Sequence, residues 1–161
     1  MKVLEVIKTG SELLKEKNIS SHVLDTELLL SKSLNKSREE LLINLDQNIN
    51  KRDLTNFNKY LIRRSNKEPI AYLLGEKEFW SKKFFVNKNT LIPRPETELL
   101  VEKLVTIYKE KRITILDIGT GTGCIIASLL SELKNSTGTA VDISREAILV
   151  AKKNACKFKL S

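Results

Sequence analysis

Cysteine is scarce: Cys124 and Cys156 are the only two in 161 residues. Neither stands in a CxxC or CxxH pattern, which argues against a disulfide framework, a zinc ribbon and a thioredoxin-like redox centre. Both read as reduced, small apolar side chains, and no metal ligands are expected. A single histidine, His22, rules out a histidine cluster. Beside an expected helix cap, it reads as a surface residue rather than a ligand or base. No apolar run approaches the roughly 18 residues that would span a bilayer. The opening Met1-Lys-Val-Leu-Glu-Val-Ile-Lys8 carries Glu5 inside its apolar stretch and lacks a signal-peptide layout. A cytoplasmic protein without membrane contact is expected. Prolines number three, Pro69, Pro93 and Pro95, and no two are adjacent. No block of like charge reaches the 5–6 residues of a nucleic-acid arm.

What is present fits folded, soluble protein: 41% hydrophobic and 30% charged residues. The formal net charge of +8 favours acidic partners. The excess is dispersed, and solvated helical faces account for it better than a nucleic-acid surface.

Residues 1–74 are expected to form a helical bundle domain. Val3, Leu4, Ile7, Leu13 and Leu14 mark an amphipathic helix interrupted in composition by Gly10. Val23, Leu24, Leu28, Ser31 and Leu34 suggest a second stripe, capped by Ser20 or Ser21. Ser37-Arg-Glu-Glu40 is a capping-box pattern, in which serine and glutamate satisfy free N–H groups reciprocally. Leu54, Phe57, Leu61 and Ile62 give a further stripe that stops before Pro69. Residues 75–92 are expected to be a β-hairpin linker, with Glu78-Phe-Trp80 and Phe84-Phe-Val86 flanking Ser81-Lys-Lys83. Its aromatic face is expected to pack on a domain, with partner docking as the alternative. Leu91-Ile-Pro-Arg-Pro-Glu-Thr97 reads as a stiff extended connector, because proline restrains itself and its predecessor.

Residues 93–161 carry the chemistry. After a helical stretch around residues 96–110, Ile113-Thr-Ile-Leu-Asp117 predicts a strand, and Gly119-Thr-Gly-Thr-Gly123 a turn opening a helix over 123–134. A second strand, 138–142, ends in Asp142, and a helix over 144–157 follows Ser144 as N-cap. Strand, glycine loop, helix, strand and terminal carboxylate form a Rossmann-like βαβ unit. The dinucleotide frame G-x-G-x-x-G is not met, since the glycines alternate and Cys124 takes its last place. D-x-G-x-G-x-G resembles motif I of S-adenosylmethionine (AdoMet) methyltransferases. AdoMet has no pyrophosphate to cradle, and the loop need only let backbone approach the cofactor. Asp142 lies 23 residues beyond Gly119, near the roughly 20-residue offset of a ribose-binding carboxylate.

Four segments together resemble the HemK/PrmC family of AdoMet-dependent N5-glutamine methyltransferases, which modify peptide-chain release factors. They are Lys67-Glu-Pro-Ile-Ala-Tyr-Leu-Leu-Gly75, Glu78-Phe-Trp80, Leu91-Ile-Pro-Arg-Pro-Glu-Thr-Glu98 and Ile115-Leu-Asp-Ile-Gly-Thr-Gly-Thr-Gly-Cys124. The resemblance implies an α/β architecture of helical substrate-recognition domain, hairpin linker and Rossmann-like methyltransferase domain. It implies that Gly119, Thr120, Gly121, Thr122 and Gly123 line the AdoMet pocket, that Asp142 binds the ribose and that Asp117 lies beside the cofactor. Arg94 and Glu96 are implied near the pocket mouth, toward the substrate.

The family's acceptor site is an Asn-Pro-Pro-Tyr motif after the fourth strand of the sheet. With no adjacent prolines, these 161 residues do not contain it. An amide nitrogen is a poor nucleophile, and orientation worth about 7–11 kcal/mol is what such a motif supplies. The expectation is an N-terminal fragment of a release-factor glutamine methyltransferase, inactive alone and without catalytic residues of its own. Its first sheet strand would keep an unpaired edge, open to a second chain that completes the sheet. The rivals are a non-catalytic module that binds a release factor or another acidic protein, and a basic ribosome- or nucleic-acid-associated protein.

Overall fold

The structure is a computed structural model that describes residues 1–160. The chain divides into two compact units, Met1–Leu74 and the residues from Gly75 onward. No helix among the described residues is long and apolar enough to cross a membrane.

The first unit is helical: α1 (Val3–Glu16), α2 (His22–Leu34), α3 (Arg38–Ile43), α4 (Lys51–Ser65) and α5 (Ile70–Leu74). Its core gathers Val3, Val6, Leu14, Leu29, Leu30, Leu41, Phe57 and Leu61. Gly10 does not interrupt α1. It is buried where α1 meets α2 and α4, and a Cβ there would lie 2.9 Å from both Phe57 Cζ and Thr26 Cγ2. The capping box at Ser37 forms, with Glu40 N–H donating to Ser37 Oγ at 3.1 Å and Ser37 N–H to Glu40 Oε2 at 2.7 Å.

The stripe expected on α2 is rotated. Val23 and Leu24 are exposed, while Asp25, Thr26, Glu27, Leu29, Leu30 and Ser31 face inward. Two ion pairs account for this. Arg64 Nε donates to Asp25 Oδ2 at 2.7 Å, and Arg38 Nε to Glu27 Oε2 at 2.6 Å. A buried carboxylate is tolerated when a guanidinium and further hydrogen bonds satisfy it, and Ser21 Oγ completes Asp25 at 2.8 Å. Apolar periodicity alone carries no sign of such pairs. His22 is half-buried, its Nδ1 hydrogen-bonded to Ser11 Oγ.

The second unit opens with an antiparallel hairpin, β1 (Glu76–Phe79) and β2 (Lys82–Phe85). The turn is made by Trp80 and Ser81, at φ +50° and +54°, one residue earlier than the Ser81–Lys83 turn expected. Positive φ at both positions is the twist-matched hairpin geometry, normally given to glycine or asparagine. Here Trp80 is held from two sides: its N–H donates to Glu98 Oε1 at 2.8 Å and its indole N–H to Glu132 Oε1 at 3.0 Å. Phe79 and Phe84 are buried in this unit's core, edge to face with each other, and Phe84 likewise with Phe158. Residues 75–92, expected as a linker, thus lie within the second unit.

A 3₁₀ turn at Pro95–Thr97 leads into α6 (Glu98–Tyr108). Then follow β3 (Thr114–Ile118), α7 (Cys124–Glu132), β4 (Thr137–Val141) and α8 (Arg145–Lys157). β3 and β4 pair in parallel with Asp117 opposite Ala140 and Ile118 opposite Val141. A parallel pair needs a crossover, and α7 supplies it. On one face of this sheet Gly138 lets α7 come close: a Cβ there would meet Ile126 Cδ1 at 2.8 Å. The other face is bare. Leu116, Ile118 and Val141 are 60%, 77% and 41% exposed. Among the described residues β3 has no strand partner but β4. The architecture is α/β, helix-rich with small sheets.

Candidate functional site

β3 ends at the glycine loop, and the loop's shape follows from three left-handed glycines. Gly119, Gly121 and Gly123 have φ of +78°, +55° and +76°. A Cβ in that region costs roughly 1–2 kcal/mol per residue. Space adds a second constraint only at Gly123, where a Cβ would sit 3.3 Å from Ala151 Cβ on α8. At Gly119 and Gly121 a Cβ would meet nothing within 4 Å. The backbone there faces open space, as required for close approach of a ligand.

The loop is fastened to the end of β4. The N–H groups of Gly119 and Thr120 both donate to the Val141 carbonyl, at 2.9 and 3.0 Å. Gly121 N–H donates to Asp142 Oδ2 at 2.9 Å, and Ser144 N–H to Asp142 Oδ1 at 2.9 Å. These two backbone donors, Ser144 first and Gly121 second, hold the Asp142 carboxyl below its ordinary value. Asp142 is therefore an anionic acceptor placed at the loop, with lone pairs left on both oxygens. Asp117 is half-buried at the end of β3 and accepts from Thr120 Oγ1 at 2.7 Å. Ser144 caps α8, accepting from Ala147 N–H at 3.1 Å. Cys124 is buried, and burial pushes its thiol pKa up, which disfavours a reactive thiolate.

The structure thus brings Asp117, Gly119, Thr120, Gly121, Thr122, Gly123 and Asp142 together at one end of the parallel pair. Arg94 and Glu96 are exposed at the 3₁₀ turn, and no hydrogen bond among the described residues joins either to the loop. A cleft of about 170 Å³ lies between α7, α8 and β4, lined by Ile126, Ala127, Gly138, Ala140 and Ala151. Gly123 also lines it, so it adjoins the glycine loop, while neither Asp117 nor Asp142 lines it. No group of three or more His, Cys, Asp or Glu among the described residues is arranged to hold a metal.

Sequence reading missed Asn154. Its side chain is fully buried, and its amide donates to the Thr122 carbonyl at 2.9 Å. The signal was available: 147, 150, 151 and 154 form one inward stripe of α8, and Asn154 is its polar member.

An anionic acceptor and open, glycine-lined backbone at the carboxyl ends of two parallel strands suit an adenosine-bearing ligand. This is the beginning of a Rossmann-like methyltransferase domain preceded by a helical domain. Residues 5–75 match the PrmC N-terminal domain, and residues 109–161 match a methyltransferase domain. The chain is 42% identical over 158 residues to a release factor glutamine methyltransferase of Leptospira interrogans, covering 97% of this chain and 55% of that protein. It is 43% identical over 161 residues to one of Buchnera aphidicola subsp. Baizongia pistaciae, covering 99% and 58%. A bifunctional methyltransferase of Rickettsia conorii is 37% identical over 184 residues, covering 99% of this chain and 35% of its own length. The chain resembles the HemK/PrmC family in both of its parts. It spans little more than half the length of these release factor methyltransferases and about a third of the bifunctional one.

Proposed function

We propose that this chain is the cofactor-binding and substrate-recognition part of an AdoMet-dependent N5-glutamine methyltransferase acting on a peptide-chain release factor, in the cytoplasm. The observation that carries the reading is the left-handed glycine loop stapled to Asp142 through Gly121. Asp142 accepts the ribose hydroxyls, the backbone from Gly119 to Gly123 lies along the cofactor, and Asp117 closes the pocket floor through Thr120. AdoMet supplies an electrophilic methyl group on a sulfonium. The helical residues 1–74 engage the release factor, and Arg94 and Glu96 lie on the substrate side. The free edge of β3 receives the strands that complete the sheet, and helices cover the bare face of Leu116, Ile118 and Val141, from the same protein or from a second chain.

Methylating an amide also requires that its nitrogen lone pair be aimed at the methyl carbon. No Asn-Pro-Pro-Tyr segment lies within these residues. The test is transfer of labelled methyl from AdoMet to a release factor, with a Gln→Ala acceptor as control. The 161-residue chain alone should give no transfer, and adding the C-terminal segment of a relative, fused or in trans, should restore it. Glutamine-dependent turnover by the 161-residue chain alone would contradict the reading.

A further inference from the structure

The side chain of Asn154 joins two segments that are far apart in sequence. Its Oδ1 accepts from Phe85 N–H at 2.7 Å, and its Nδ2 donates to the Phe85 carbonyl at 3.0 Å. The amide thereby satisfies both backbone groups of one β2 residue, as a neighbouring strand would. The remaining Nδ2 hydrogen goes to the Thr122 carbonyl inside the glycine loop. With no exposed surface and three hydrogen bonds, this carboxamide has few alternative arrangements. The same helix grips β2 elsewhere without touching the loop. Lys153 Nζ lies 3.5 Å from the centre of the Phe85 ring, and Lys157 Nζ donates to the Lys83 carbonyl.

We infer that Asn154 is a positioning residue that couples the aromatic hairpin to the glycine loop, so that the hairpin sets the loop conformation used for the cofactor. The peptide between Thr122 and Gly123 is where that control acts. Gly123 is in the left-handed region at φ +76°, against Ala151. Holding the Thr122 carbonyl fixes the plane of that peptide, and with it the direction in which the loop turns into α7. Consequences for cofactor affinity rest on the reading proposed above; the mechanical coupling does not.

Two measurements on the full chain separate these. The first is native-state hydrogen exchange of the wild type at low denaturant concentrations. The Phe85, Gly121 and Gly123 amides should open together, with one denaturant dependence. Opening of Phe85 with the rest of the hairpin while Gly121 and Gly123 stay protected would overturn the coupling, whether or not AdoMet binds and without any variant having to fold. The second compares Asn154→Asp with the double variant Lys153→Ala/Lys157→Ala. Asn154→Asp keeps an acceptor for Phe85 N–H and loses both donors. It should speed exchange at Gly121 and Gly123 at least tenfold, and weaken AdoMet about tenfold by calorimetry. The lysine variant should loosen the hairpin amides and leave loop exchange and affinity within twofold. Equal effects of the two variants on the loop would make Asn154 merely structural and overturn the assignment. A wild type that binds no AdoMet would count against the proposed function alone, since the exchange comparison still decides the coupling.

Discussion

The backbone N–H of Gly121 and the Oδ2 of Asp142 lie 2.9 Å apart, joining a loop after the first strand of the parallel pair to the residue that follows the second. The bond makes loop geometry depend on a titrating group. Asp142 has its folded pKa lowered, chiefly by the N–H of Ser144 and then that of Gly121. A group shifted down contributes stability that is present above its unfolded pKa and lost as pH falls through the folded one. The Gly121 and Ser144 amide resonances should therefore move together as Asp142 titrates below the ordinary aspartate range. Titration of both at or above the ordinary aspartate value would show that the staple does not form in solution.

Gly10→Ala tests the packing of the helical unit. Helix propensity alone would favour alanine by roughly 0.8–1.0 kcal/mol. The added methyl, however, meets Phe57 Cζ and Thr26 Cγ2 at 2.9 Å, and both residues are buried. Overpacking costs typically about 1–3 kcal/mol. Net destabilisation of about 1 kcal/mol is expected from the denaturant midpoint, and a stabilised variant would show that α1 can shift away.

Ser81→Gly tests the hairpin turn. Ser81 has φ +54° and carries a Cβ that this region penalises. Glycine there should raise stability by about 1 kcal/mol, less than the full steric penalty because glycine also gains freedom in the unfolded chain. A lower melting temperature would mean that the Ser81 side chain makes a contact worth more than the strain.

The periodic parts of this fold were legible in the sequence. Apolar spacing located α1, α4, α6 and α7, Ser144 as N-cap located α8, and β-branched runs before the glycine loop and before Asp142 located β3 and β4. The candidate site residues around the loop were legible because each has a chemical reason to stand where it does. Other features depend on pairing across the chain. The face of α2 was misjudged because Asp25 and Glu27 go inward toward Arg64 and Arg38, and periodicity counts only apolar side chains. The turn at Trp80 was displaced because nothing in Trp80-Ser81 signals positive φ; the carboxylates of Glu98 and Glu132 hold the tryptophan there. Asn154 was overlooked because its partners are backbone groups of residues 85 and 122.

The central claim is that the glycine loop and Asp142 form a cofactor site, and calorimetric titration of AdoMet into the wild type and Asp142→Ala tests it most directly. Each hydrogen bond to a charged group is worth about 1.5–3 kcal/mol, and Asp142 also holds the loop through Gly121. The account predicts saturable AdoMet binding by the wild type and a loss of at least roughly 1.5 kcal/mol in the variant. Equal affinity of the two proteins, or no binding by a wild type whose second unit is folded, would contradict it.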